Sequence, residues 1–189
     1  MGMHPASVRL AACALLTASF VHAPLAHAER PGEQLARGKY LVELGGCHDC
    51  HTPKKMTPAG PVPDLSLALS GQRAKLPVAA VPAGILGPAP SQWIAMTNAD
   101  QTAWAGPWGI SFSANLTPDK VTGLGNWTVE QFVATVRTGK HLGVGRPLLP
   151  PMPVQGLAVL TDSDLKAMFA YLRSVPAISN AVPAPSPPR

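Results

Sequence analysis

The feature that most constrains this 189-residue chain is the run Cys47-His48-Asp49-Cys50-His51. Two thiols three positions apart can form thioether bonds to the two vinyl groups on one edge of a haem. A histidine directly after the second thiol is then held beneath the iron. The sequence therefore predicts one covalently attached haem per chain, bonded to Cys47 and Cys50, with His51 as an axial iron ligand.

An export signal is predicted over residues 1–28. Arg9 supplies a positive charge, the following apolar stretch is too short to span a bilayer, and Ala26-His27-Ala28 has the small-x-small pattern of a cleavage site. Cleavage would remove Cys13 and lower the net charge from +5 to +4, because Arg9 is lost with the signal. The mature chain has no further apolar stretch of membrane-spanning length. It is therefore predicted to be periplasmic and to lack a transmembrane segment.

Other roles for the two cysteines that remain in the mature chain are less well supported by the sequence. A zinc site needs four protein ligands, and in the mature chain only His48 and His141 are left to complete a set with Cys47, Cys50 and His51. A thioredoxin-like redox pair expects a βαβ context, which is missing here. A disulfide closing so short a loop would add little stability.

Composition agrees with a bound cofactor. Aromatic residues make up 5% of the chain and there are 22 prolines, so the chain must build a thin core or fill it with a non-protein body. A haem is such a body. The net charge is only mildly positive and no run of Lys or Arg occurs, which argues against a nucleic-acid partner.

Hydrophobic periodicity predicts helices over residues 32–46, 128–138 and 162–174, each with capping or stop signals at its ends. Residues 54–110 are rich in proline and show no helical period longer than about two turns, so we predict an ordered wrapping loop there. Residues 179–189 are again rich in proline and are predicted to form a mobile tail.

The sixth iron ligand is predicted to be Met152. It lies in Leu149-Pro150-Pro151-Met152-Pro153, and prolines restrict the backbone so that one side chain can be presented from a stiff loop. A neutral thioether binds weakly and needs that presentation. Alternatively, no protein side chain binds at the sixth position of the iron, and that position is open. The other side chains considered are His141, Met56, Met96 and Met168.

Several short motifs occur together in this chain: Gly38-Lys39-Tyr40-Leu41, the haem motif, Asn115-Leu116-Thr117-Pro118-Asp119, Pro151-Met152-Pro153, Asp164-Leu165-Lys166-Ala167 and Ala170-Tyr171-Leu172. The set resembles monohaem class I c-type cytochromes of the bacterial periplasmic type, including haem domains that serve alcohol and sugar dehydrogenases. The resemblance covers roughly residues 32–53 and 111–183. Residues 54–110 depart from the compact family pattern.

The resemblance implies an all-α, cytochrome c-like helical domain over residues 29–178, wrapping one haem and carrying 54–110 as a long Pro-rich insert. It implies that the first and last helices cross, with Gly38 facing Ala167, Ala170 or Tyr171. The implied function is one-electron transfer, with redox proteins such as a dehydrogenase, an oxidase or another cytochrome as partners. The implied axial ligands are His51 and Met152.

Two other functions remain open at this point. A haem enzyme or gas-binding protein would need an open distal position and a polar distal group, for which His141 is the candidate. A docking subunit would use its haem mainly for stability and residues 54–110 as its interaction surface. The electron-transfer prediction, in which the chain is not itself an enzyme, is favoured over both.

Overall fold

The computed structural model describes residues 1–2, 30–87, 89 and 92–187. Short 3-10 helices form at Leu65–Leu67 and His141–Gly143. The other elements, in chain order, are α1 (Pro31–Leu44), α2 (Cys47–His51), β1 (Lys54–Thr57), β2 (Gly60–Pro63), β3 (Met96–Thr97), β4 (Ala103–Gly106), β5 (Gly109–Phe112), α3 (Val129–Thr138), α4 (Val154–Leu157) and α5 (Asp162–Ser174).

The first and last helices, α1 and α5, pack against each other. α1 starts at Pro31, whose fixed φ suits a first helical turn. A Cβ added at Gly38 would clash with the backbone carbonyl of Ala167 and come within 2.9 Å of the Cβ of Tyr171. The predicted contact of Gly38 is thus confirmed, because only a residue without a side chain permits this approach.

Apolar side chains from α1, α3 and α5 form most of the core. α3 begins at a capping box in which Thr128 and Gln131 bond each other's backbone N–H, and it ends at Gly139 with a positive φ of 65°. The three helices lie within about two residues of their predicted bounds. The buried members of the core are Leu41, Val42, Leu69, Leu124, Phe132, Val136, Leu165, Met168, Phe169 and Leu172.

The prediction of an all-α fold is wrong for residues 54–110. Within the described residues, β1 and β2 form an antiparallel hairpin, and β3, β4 and β5 form a second antiparallel sheet in that order. These strands are two to four residues long, too short to establish a two-residue alternation that the sequence could reveal. The fold is a mainly helical domain that carries two small sheets.

The C-terminal segment predicted as a mobile tail makes specific contacts up to the end of the described residues. Ser186 and Ile110 exchange backbone hydrogen bonds, each 2.9 Å long. The Asn180 side-chain amide donates to the carbonyl oxygens of Ser70 and Gln72, at 2.7 and 2.8 Å. This segment therefore meets β5 at Ile110, and a domain boundary at residue 178 stays a prediction.

The export signal predicted over residues 1–28 falls outside the described residues, apart from the first two. Its cleavage after Ala28 accordingly stays a prediction. Among the helices that the structure describes, none has both the length and the apolar character needed to cross a bilayer.

Candidate haem-binding site

The cysteine pair lies on the short helix α2, which starts directly after Gly46. Both thiols are free and partly buried. Burial raises the pKa of Cys47 to about 11 and also raises the pKa of Cys50. A thioredoxin-like pair needs a thiol whose pKa is lowered, so these surroundings argue against that alternative and leave two protonated thiols on one helical turn.

His51 is buried, with 8% of its surface exposed, and its Nδ1 lies 2.8 Å from the carbonyl oxygen of Ala114. A carbonyl can only accept, so Nδ1 carries the proton and donates it. Burial lowers the pKa of His51, which keeps the ring neutral and leaves the Nε2 lone pair free. A neutral imidazole oriented in this way is ready to bind a metal.

The segment that carries the motif, residues 47–54, is here called the haem-motif turn. Its last residue, Lys54, is 7% exposed, and its Nζ donates to the carbonyl oxygens of His48, Asp49 and Thr52 at 3.2, 2.7 and 3.0 Å. Carbonyls at the end of a helix have no partners within the helix. The buried ammonium supplies a donor to the carbonyls of Asp49 and Thr52, and a second donor to that of His48, which also accepts from the Thr52 backbone N–H at 3.2 Å. Sequence reasoning missed it because no motif distinguishes Lys54 from other lysines.

The zinc alternative finds no support among the described residues. They contain no group of three or more His, Cys, Asp or Glu side chains that could hold a metal ion. His48 Nδ1 instead lies 2.9 Å from the hydroxyl of Thr52. His141 is exposed and meets the Trp127 ring edge-on, with 5.1 Å between the ring centroids.

The Met152 loop, residues 146–154, is Pro-rich and mostly exposed. Met152 is half-buried and borders an open cavity of about 380 Å³ together with Leu148 and Val154. Its backbone N–H donates to Leu149 at 3.3 Å and its carbonyl accepts from Val154 at 2.8 Å. The carbonyl of Pro150 accepts a 2.5 Å bond from the Ser111 hydroxyl.

The other methionines considered as iron ligands lie in different surroundings. Met168 is 3% exposed and belongs to the core cluster. Met56 lies on β1 and is 69% exposed, and Met96 lies on β3 and pairs with Ala105 of β4. Met168 is therefore a core residue, whereas Met152 lies in an irregular loop.

One short segment, residues 111–114, touches both predicted axial-ligand regions. The Ala114 carbonyl holds the His51 ring, and the Ser111 hydroxyl holds the Met152 loop at Pro150. Three residues of chain span at most about 10 Å. Residues 111–114 therefore bring the His51 ring and the Met152 loop into one neighbourhood. The donor set is a buried neutral imidazole, two free thiols and a thioether, and it suits a c-type haem.

No family model matches the chain. Among curated proteins, it is 30% identical over 159 residues to the gluconate 2-dehydrogenase cytochrome c subunit of Pantoea cypripedii, covering 84% of this chain and 27% of that protein. It is 30% identical over 162 residues to the cytochrome c subunit of the quinone alcohol dehydrogenase of Gluconobacter oxydans, covering 85% and 25%. It is 40% identical over 85 residues to the fructose dehydrogenase cytochrome subunit of Gluconobacter japonicus, covering 45% and 17%.

These comparisons confirm the class that the sequence indicated, a c-type cytochrome with a covalent haem as its cofactor. The relatives named above are cytochrome subunits of gluconate, alcohol and fructose dehydrogenases, as the resemblance to haem domains of alcohol and sugar dehydrogenases predicted. The chain spans about a quarter of the length of the gluconate and alcohol dehydrogenase subunits.

Proposed function

We propose that this chain transfers single electrons through one c-type haem bonded to Cys47 and Cys50, with His51 and Met152 as the axial ligands. The observation that carries the proposal is the double contact of residues 111–114, which hold the His51 ring through Ala114 and the Met152 loop through Ser111. It is supported by the likeness to cytochrome subunits of dehydrogenases.

The residues present fit this cofactor, whose iron, when bound, can gain or lose one electron. The bond from Nδ1 to Ala114 keeps the His51 ring in one orientation with Nε2 unprotonated. The prolines on both sides of Met152 restrict the backbone that presents its sulfur. Methionine ligation raises the reduction potential, which suits an acceptor of electrons.

The partner that we propose is a dehydrogenase, because the relatives are subunits of such enzymes. The chain itself would be the electron carrier, and the dehydrogenase would oxidise the substrate. We further propose a periplasmic location, reached through the export signal at residues 1–28. Residues 54–110, which contain most of the two small sheets, would be an insert in the compact cytochrome domain of residues 29–178.

Absorption spectra of the purified protein test the proposal. Haem should stay with the polypeptide after acid–acetone extraction, because thioether bonds are covalent. The oxidised protein should show the weak near-infrared band of methionine bound to iron, and the reduced protein should take up carbon monoxide slowly. Freely extracted haem would refute the attachment. Rapid carbon monoxide binding would refute the electron-carrier function and favour a ligand-binding haem protein.

The location is tested separately by fractionation and by mass spectrometry of the intact chain. The mature protein should begin at Glu29 and be recovered from the periplasmic fraction. A haem-loaded chain that still begins at Met1 would contradict the cleavage that we propose.

A further inference from the structure

We propose that Ser111, on β5, is a positioning residue for the Met152 thioether, and that the β3–β5 sheet holds the Met152 loop in place. This inference rests on the ligand assignment under the proposed function. It gives the β3–β5 sheet, which begins in residues 54–110 and ends at Phe112, a role in presenting an iron ligand. The argument starts from the hydrogen bonds of the Ser111 hydroxyl.

Ser111 is 7% exposed, and its hydroxyl lies 2.5 Å from the Pro150 carbonyl oxygen. The indole N–H of Trp108 donates to the same hydroxyl at 3.2 Å. A hydroxyl has one proton to give and two lone pairs. Because the alternative acceptor, the Trp104 carbonyl, is 3.4 Å away, the proton is directed at Pro150 while Trp108 occupies a lone pair and orients the group.

The centre of the Met152 loop has few backbone hydrogen bonds of its own, apart from the 2.8 Å bond from Val154 to the Met152 carbonyl. Pro150, Pro151 and Pro153 have no backbone N–H to donate. Met152 has one, but its bond to Leu149 is long, at 3.3 Å. The Ser111 bond reaches the loop two residues before Met152 and fixes the Pro150 carbonyl from a separate element.

Ser111 is itself on a well-paired strand. β5 pairs with β4 along its whole length, from Ala103 opposite Phe112 to Gly106 opposite Gly109. The neighbouring residue, Ile110, exchanges two 2.9 Å backbone bonds with Ser186. A strand held by bonds to both β4 and the C-terminal segment gives the Ser111 hydroxyl a fixed position.

The expected effect follows from the strength of one hydrogen bond. Thioether sulfur is a neutral and weak ligand, so the free energy of its iron bond depends on how well the loop presents it. Losing one neutral hydrogen bond should make the thioether roughly three- to tenfold easier to displace. Displacement is measured by titrating the oxidised holoprotein with imidazole, which competes for the sixth position.

Ser111→Ala should therefore bind imidazole roughly three- to tenfold more tightly than wild type, and Ser111→Thr, which keeps a hydroxyl, should restore most of the difference. Ser70→Ala is the matched control. Ser70 is 2% exposed and its hydroxyl also donates to a backbone carbonyl, that of Leu67 at 2.8 Å, away from the Met152 loop. The control should lower the melting temperature without changing imidazole affinity.

The outcomes separate this proposal from the one on which it rests. If Met152→Ala changes neither the near-infrared band nor imidazole affinity, the ligand assignment fails and Ser111 has no such role. If Met152→Ala changes both but Ser111→Ala matches wild type, only the Ser111 proposal is overturned. If Ser111→Ala yields no folded holoprotein, Trp108→Phe tests the same hydroxyl, and an unchanged imidazole affinity in that variant overturns the proposal.

Discussion

The haem-motif turn and the Met152 loop are held in different ways. In the haem-motif turn, His51, Thr52 and Lys54 are all buried, and Lys54 alone donates three hydrogen bonds to backbone carbonyls. The Met152 loop is largely exposed, and its central carbonyl depends on Ser111 from another element. The backbone carbonyls of the first region are held by a side chain of the same segment, whereas the Pro150 carbonyl of the second is held by a side chain from another element.

This difference fits the two tasks that we propose. A region that must accept two covalent bonds and one imidazole–iron bond benefits from a preformed backbone, since misplacement would affect all three. A thioether–iron bond is weaker and can be adjusted by the frame around it. Substitutions in the haem-motif turn should therefore affect holoprotein formation and stability, whereas those in the Met152 loop should affect ligation and potential.

The largest effect is expected at the cysteines. The double variant Cys47→Ala/Cys50→Ala should yield no holoprotein, because both sites of covalent attachment are lost. Each single variant should retain less haem than wild type after acid–acetone extraction. Cys13→Ala, in the predicted export signal, is the control and should give normal haem content in the mature protein. Full covalent retention in the double variant would exclude the proposed attachment.

Met152→Ala should alter the iron without preventing attachment of the haem. The near-infrared band should disappear, the reduction potential should fall because the thioether is lost, and carbon monoxide should bind faster. His141→Ala should leave all three properties close to wild type, since that exposed ring lies against Trp127. If the histidine variant alone changes the spectrum, His141 is the ligand and the Met152 loop has another role.

Lys54→Met should destabilise the haem-motif turn by about 3 kcal/mol, because it removes a buried ammonium that donates to three carbonyl oxygens. Urea unfolding of the holoprotein measures the loss. Lys55→Met is a matched control, since the neighbouring lysine is exposed and should change stability by less than about 0.5 kcal/mol. Equal effects of the two substitutions would show that the buried Lys54 ammonium contributes no more to stability than the exposed Lys55 ammonium.

The same comparison explains what the sequence could reveal. The spacing of the two cysteines and the following histidine is specific to haem attachment, so the covalent attachment could be predicted from residue type. The contact of Gly38 with the last helix could be predicted from the family resemblance. The helices also have periodic apolar residues and capping signals. These features are local in sequence, and therefore they are visible without a structure.

The groups that hold the His51 ring and the Met152 loop in place are distant from them in sequence. The His51 ring is held by the backbone carbonyl of Ala114, 63 residues away, and a backbone group has no side-chain signal. The Met152 loop is held by Ser111 across 39 residues. Strands of two to four residues carry too little pattern to be recognised. Ligand types could thus be predicted, but the groups that orient them could not.

The smallest effect is expected where α1 meets α5. Arg37 donates to Asp164 at 2.9 Å, and this bond, with a further one from Thr161, holds the pKa of Asp164 below its usual value. A carboxyl whose pKa is lower in the folded state stabilises the fold above its unfolded pKa of about 3.9. That contribution is lost as the pH falls through the folded pKa.

Arg37→Met should therefore lower the free energy of unfolding by about 0.5 kcal/mol at pH 7, in the range of partly exposed ion pairs. The difference from wild type should vanish once the pH is low enough to protonate Asp164 in both proteins. Lys39→Met is the control on the same helix, because its pair with Glu43 is longer, at 3.8 Å, and both side chains are more than half exposed. Urea unfolding at pH 7, 5 and 3 measures all three proteins. A deficit in Arg37→Met that persists unchanged at pH 3 would mean that Arg37 supports the helix pair by packing on Tyr40, 5.7 Å from its ring centroid, and not through the charge of Asp164.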